Sequence, residues 1–201
     1  MDPKRNETGR WLMLIHQIPP KPAYLRVKVG RRLARIGAVA LKNTVYVLPR
    51  SEGAQEDFQW VLREVMAAGG EATLLDAHLV DGLSDAEVEA LFRNARDADY
   101  AEVAQEARAL EQRIAAAEVD DELKQKAGIE LARLERRIEE ISTIDYFGAA
   151  GRESAHALVV ALRARITPKT TPPPAPEQNM RDQYQRRTWV TRTGVHIDRI
   201  A

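Results

Sequence analysis

The chain has no cysteine among its 201 residues. That removes disulfides, thiolate nucleophiles, Cys-ligated zinc, iron–sulfur clusters and any thiol-based sensing of an oxidant. No apolar run approaches the ~20 residues of a bilayer-spanning helix. The opening MDPKRNETGR is polar, with no apolar stretch of signal type behind it. A cytoplasmic protein without a membrane partner is expected. Between Glu7 and Glu52 there is neither Asp nor Glu. Metal-dependent phosphodiester cleavage needs carboxylates to hold its ions, and this stretch offers none. A flavin-type Gly-rich loop and a complete metal-ligand set are also missing, so the expectation is a protein with no catalytic residue, no metal and no cofactor, not an enzyme.

What is present is a segregated charge. The formal net charge is zero, but residues 21–50 carry Lys21, Arg26, Lys28, Arg31, Arg32, Arg35, Lys42 and Arg50 with no acid among them, while residues 51–165 hold 13 basic groups against 25 acidic ones. A basic module joined to an acidic one binds a polyanion on one side and repels it on the other. Ordinary exposed helices mix both signs for pairing one turn apart, so the acid-free stretch favours an anionic partner. The plainer reading is that Lys and Arg, as good helix formers, simply solvate an outer face.

Periodicity predicts a strand over Trp11 to Ile15, ended by Pro19-Pro20, and a helix over Ala23 to Ile36. On that helix Leu25, Val29, Leu33 and Ile36 share one arc, and Lys28, Arg31, Arg32 and Arg35 the arc beside it. Gly37 stops the helix. Strands are predicted at Ala38 to Leu41 and Thr44 to Leu48, a helix at Ala54 to Ala68, and a strand at Ala72 to Val80. Asp76 and His78, two apart on that last strand, read either as a paired edge contact or as a metal or acid/base pair. His16, alone at a strand end, reads as structural.

Ser84-Asp85-Ala86-Glu87 is a capping box opening a helix to about Ala117. A second helix follows Asp120 or Asp121, and a third spans about Glu153 to Arg165. The apolar stripes Val103, Ala107, Leu110, Ile114 and Leu123, Ala127, Leu134, Ile138, Ile141 predict an antiparallel hairpin. A lone hairpin buries little, so a homodimer is expected to complete it. The fold class is α+β: a βαββαβ unit (residues 1–82), then a long helical hairpin and a third helix (83–166). A Pro-rich linker (167–185) and a short terminal segment (186–201) complete the chain.

The stretch WLMLIHQIPPKPAYLRVKVGRRLARIGAVALKNTVYVLP resembles the opening of the ChrB family, chromate-responsive regulators of bacterial chromate-resistance operons, and the likeness runs through residue 201. The strand, basic helix and GAVALKNTVYVLP segment are more distantly similar to the middle domain of PaaX-type repressors and to the small CRISPR-adaptation nucleases. Those proteins share a ferredoxin-like βαββαβ fold. The nucleases carry a metal-binding Asp at the end of the first strand, where this chain has no acid. RTWVT and HIDRIA resemble the opening of the C-terminal chromate-resistance domain of ChrB, here cut short.

The resemblance implies a repressor that binds operator DNA and takes chromate as its effector. Lys28, Arg31, Arg32, Arg35 and Lys42 are the candidate DNA contacts, as phosphate neutralisers rather than base readers. Chromate is a tetrahedral dianion, which a guanidinium fork suits, and Arg187, Arg192, His196 and Arg199 are its candidate ligands. The same terminal segment also reads as a basic tail. The alternative function is an accessory protein that handles chromate directly without binding DNA.

Overall fold

The computed structural model describes residues 9–21, 23–116 and 121–166. WLMLIHQ forms β1 (Trp11–Gln17), a central strand that sends Leu12, Leu14 and His16 to one face of a sheet and Trp11, Met13 and Ile15 to the other. β2 (Val39–Lys42) and β3 (Val45–Pro49) make an antiparallel hairpin with a register shift between Ala40 and Lys42. β4 (Glu71–Ala77) pairs with β1 from Trp11↔Ala77 to Gln17↔Glu71. The result is one four-stranded antiparallel sheet in the order β2-β3-β1-β4. Because β4 ends at Ala77, His78 lies beyond the strand and shares no strand face with Asp76. Asp76 instead forms an ion pair with Arg50, which leaves the metal-pair reading without its geometry.

Two helices cover the Leu12–Leu14 side. In α1 (Tyr24–Arg35) the positions Leu25, Val29 and Leu33 are buried, and in α2 (Glu52–Ala67) Ala54, Phe58, Val61 and Val65 join them in one core with Leu12, Leu14 and Leu48. Ser51 starts α2 by accepting the Ala54 N–H on its Oγ at 3.0 Å. Gly37 ends α1 at φ +70°, and a Cβ there would stand 2.7 Å from the Cβ of Ile144. Both the backbone angle and the crowding therefore require glycine.

The capping box is present as expected. The Ser84 N–H and hydroxyl donate to Glu87 Oε2 at 2.8 and 2.7 Å, and the Glu87 N–H returns to Ser84 Oγ at 3.3 Å. It opens α3 (Asp85–Ala116), a helix of 32 residues whose buried stripe belongs to two cores. Val88 and Phe92 lie in the sheet core; Tyr100, Val103, Ala107 and Leu110 lie in a second core with α4 (Asp121–Thr143) and α5 (Gly151–Ile166). α5 packs on both α3 and α4, so the hairpin is one part of a three-helix bundle. Ala155, Val159 and Leu162 of α5 meet the stripe of Leu131, Leu134, Ile138 and Ile141. The bundle thus closes its own core within one chain, and the burial argument for a second copy no longer applies. Its charged surface is paired largely between helices: Arg133 and Arg137 reach Glu102 and Glu106, and Arg163 reaches Glu135. Exposed pairs of this kind orient helices more than they stabilise them.

Sheet and bundle meet at Trp11. Its ring stacks on Phe92 with centroids 6.0 Å apart, lies 5.9 Å from Phe147 in the α4–α5 turn, and its indole N–H donates to Asp85 Oδ1 at 2.6 Å. Arg93 Nε donates to the Phe147 carbonyl at 3.2 Å and holds the same turn in place. Trp11→Ala is expected to cost about 3–5 kcal/mol in urea denaturation. Trp11→Phe should recover part of that loss, because the ring packing returns while the Asp85 hydrogen bond does not. Equal losses for the two variants would show that ring packing contributes little.

Candidate nucleic-acid interface

α1 begins without a side-chain cap and with no acid in its first turn, and it ends with Arg32 and Arg35 in its last. Cations there suit the carbonyl end of a helix. The arc beside its buried stripe faces α2, and between the two helices runs a groove of about 700 Å³. Tyr24, Val27, Lys28, Arg31, Arg32 and Arg35 line one wall, and Asp57 and Glu64 of α2 the other. Four of the five expected DNA contacts, Lys28, Arg31, Arg32 and Arg35, are therefore brought together. Lys42, at the end of β2, does not line the groove.

The cations in the groove are of two kinds. Lys28 Nζ lies 2.5 Å from Glu64 Oε1, and Arg32 lies 3.4 Å from Glu64 Oε2. The Lys28 hydrogen bond, supported by the charges of Lys28 and Arg32, holds the Glu64 carboxyl below its ordinary value against the opposing effect of burial. Glu64 itself is mostly covered, its side chain 14% exposed. Arg31 and Arg35 are exposed and form no ion pair among the described residues. The basic arc is thus half engaged by the protein's own carboxylate and half open.

Trp60 of α2, 56% exposed, stands beside this groove with the guanidinium of Arg32 at 5.8 Å and that of Arg63 at 5.4 Å from its ring centroid. Those distances are within cation–π range. At the other end, the Tyr146 hydroxyl donates to the Ile36 carbonyl at 2.9 Å, so a residue of the α4–α5 turn closes the C-terminus of α1. Burial, with the charge of Asp57 nearby, pushes the Tyr146 hydroxyl pKa up. Beneath that corner lies Arg96, its side chain 9% exposed, paired through Nη2 with Asp99 at 2.8 Å while Nε and Nη1 have no hydrogen-bond partner among the described residues. Nη1 lies close to Gly37, next to the negative end of α1.

Asp57 and Glu64 in the groove wall, with Trp60 and Tyr146 next to it, are the residues that sequence reasoning missed. Asp57, Trp60 and Glu64 recur at helical spacing beside the buried stripe of α2, a pattern that points to all three. The candidate chromate ligands Arg187, Arg192, His196 and Arg199, and the linker before them, lie outside the described residues. Among the described residues no group of three or more His, Asp or Glu is placed to hold a metal ion. No described helix is long and apolar enough to cross a membrane.

The class defined so far is an α+β protein with an antiparallel sheet, a three-helix bundle and a cation-lined groove between its first two helices. A family model described as "Protein ChrB, N-terminal" matches residues 26–168, and the chain belongs to that family. A curated relative named "Protein ChrB" from Cupriavidus metallidurans is 28% identical over 211 residues, an alignment that covers 99% of this chain and 61% of the relative. The chain therefore spans less than two thirds of that relative's length.

His16, a structural residue in the sequence reading, is buried on the helix-covered face. It stacks on Tyr46 at 5.5 Å, and neither ring nitrogen has a hydrogen-bond partner among the described residues. Burial lowers its pKa from 6.5. The unfolded chain then takes up a proton at a higher pH than the folded one. The contribution is intact above about pH 6.5 and is lost as pH falls toward the folded value. The thermal midpoint of the wild type should decline over that interval, above the range where carboxylates titrate. His16→Phe, which keeps a ring against Tyr46, should flatten the decline; an unchanged slope would assign it to another group.

Proposed function

We propose that this chain is the DNA-binding part of a chromate-responsive transcriptional regulator, a repressor rather than an enzyme. The observation that carries the reading is the acid-free arc of α1, with Arg31 and Arg35 exposed over the groove and without an ion-pair partner among the described residues. Unpaired guanidiniums at one helical face neutralise phosphate at little desolvation cost, giving affinity and salt dependence without base choice. Membership of the ChrB family supports the link to chromate. The βαββαβ unit reads as ferredoxin-like, supported by the strand order β2-β3-β1-β4, in which the first and last strands are neighbours.

In this reading a homodimer sets two α1 helices on a palindromic operator, since one helix of 12 residues spans only a short stretch of groove. Chromate engages Arg187, Arg192, His196 and Arg199 and releases the protein. That requires the anion to bind the DNA-free form more tightly than the bound form.

A mobility shift on the promoter upstream of the encoding gene, with chromate and with sulfate as control, tests binding, response and anion choice together. Retarded DNA that chromate but not sulfate releases is the expected result. Replacing Arg31 and Arg35 together by Ala should weaken binding on every sequence tried. It should also reduce the slope of log affinity against log salt by about 2. Full binding by the double variant would move the interface away from α1.

A further inference from the structure

Glu64 engages Lys28 and Arg32 at once. Its carboxylate is a planar anion presenting two oxygens, one to each cation: Oε1 to Lys28 at 2.5 Å and Oε2 to Arg32 at 3.4 Å. A phosphodiester likewise offers two anionic oxygens to a Lys and an Arg. Resting on the DNA-binding reading above, we propose that Glu64 is an internal competitor for nucleic-acid phosphate, which holds Lys28 and Arg32 in the free protein and yields them only in part to the anion that fills the groove.

Three observations converge on this role. The first is position: Glu64 and both of its partners line the same groove as the open pair Arg31 and Arg35. A backbone tracking Arg31 and Arg35 therefore passes the engaged pair. The second is the asymmetry of exposure within the cluster. Lys28 and Arg32 side chains are 62% and 42% exposed while Glu64 is 14% exposed, so the cations are free to swing outward and the carboxylate stays with α2. The third is Arg32, which has an alternative hold: its guanidinium also lies over Trp60, and that contact leaves its hydrogen-bonding edge available to a new acceptor once Glu64 releases it.

The consequence is a groove whose affinity is set by a contest between one fixed carboxylate and a movable polyanion. Arg31 and Arg35 provide first contact; Lys28 and Arg32 join only when the incoming anion outcompetes Glu64. Asp57 provides the comparison. It lines the same groove with the same charge, but forms no ion pair with any described residue. Removing it deletes a negative charge without freeing a cation.

The experiment uses the full chain and a short labelled DNA duplex taken from the promoter region, titrated over a range of salt concentrations. Glu64→Gln keeps the shape of the side chain and should bind several-fold more tightly than wild type. Its salt slope should be steeper by up to about 2, one unit for each cation released to phosphate. Asp57→Asn should tighten binding without that steepening. In a Lys28→Ala background the gain from Glu64→Gln should shrink, as coupling in a double-mutant cycle requires. Thermal melts of each variant establish that it is folded. Binding by wild type with no gain in Glu64→Gln, or an equal change of slope in Asp57→Asn, overturns the proposal and leaves the DNA-binding reading standing. Absence of duplex binding by wild type, Glu64→Gln and Asp57→Asn alike overturns both. Binding by Glu64→Gln where wild type binds undetectably supports the proposal in its strongest form.

Discussion

The contact of Trp11 with Phe92, Phe147 and Asp85 is the constraint on which the remaining architecture depends. A single residue at the start of the central strand meets the first turns of α3 and the α4–α5 turn together. Its indole N–H is satisfied by a carboxylate at the head of α3, as a buried Trp requires. With the head of α3 fixed there, the direction of the bundle from the sheet is fixed as well. The α4–α5 turn is returned to the sheet unit by Phe147 and Arg93, and Tyr146 in that turn reaches the carbonyl of Ile36, the residue that caps α1. The basic helix is thus closed at its end by a residue more than a hundred positions later in the chain.

The groove between α1 and α2 combines opposite requirements. An anion-binding surface must keep cations exposed, yet an uncompensated row of like charges repels itself. Glu64 relieves part of that repulsion by engaging two of the four groove cations, while Arg31 and Arg35 stay open. In the bundle the charges resolve differently. Arginines find glutamates on neighbouring helices, so that module's excess of acid is partly spent in aligning α3, α4 and α5.

Much of this was legible from the chain alone. The order of strands and helices followed from apolar period, capping residues and Gly37, because those signals are local. The Ser84–Glu87 capping box formed as its spacing implied. The end of β4 was misplaced because Leu79 and Val80 extend the apolar pattern past the last paired residue. The docking of α5 was not decidable from its stripe, since Ala and Leu at helical spacing fit a sheet or a hairpin equally well. The cationic arc was visible; its partner was not. Glu64 lies 36 positions after Lys28 on another helix, and only the packing of α1 on α2 brings the two together. Trp11 was readable as part of a strand, but its role at the junction depends on the angle at which α3 leaves Asp85.

α3 carries the buried residues of both cores on one uninterrupted stripe, Val88 and Phe92 for the sheet, Tyr100 and Val103 for the bundle, with Arg96 between them. The two cores are therefore geared to each other through the helical repeat. Adding or deleting one residue between Phe92 and Tyr100 would turn the bundle against the sheet by about 100° and draw it along by about 1.5 Å. Length in this segment is held by phase as well as by contact: a seven-residue change, close to two full turns, would nearly restore the angle yet shift the bundle by about 10 Å against the sheet.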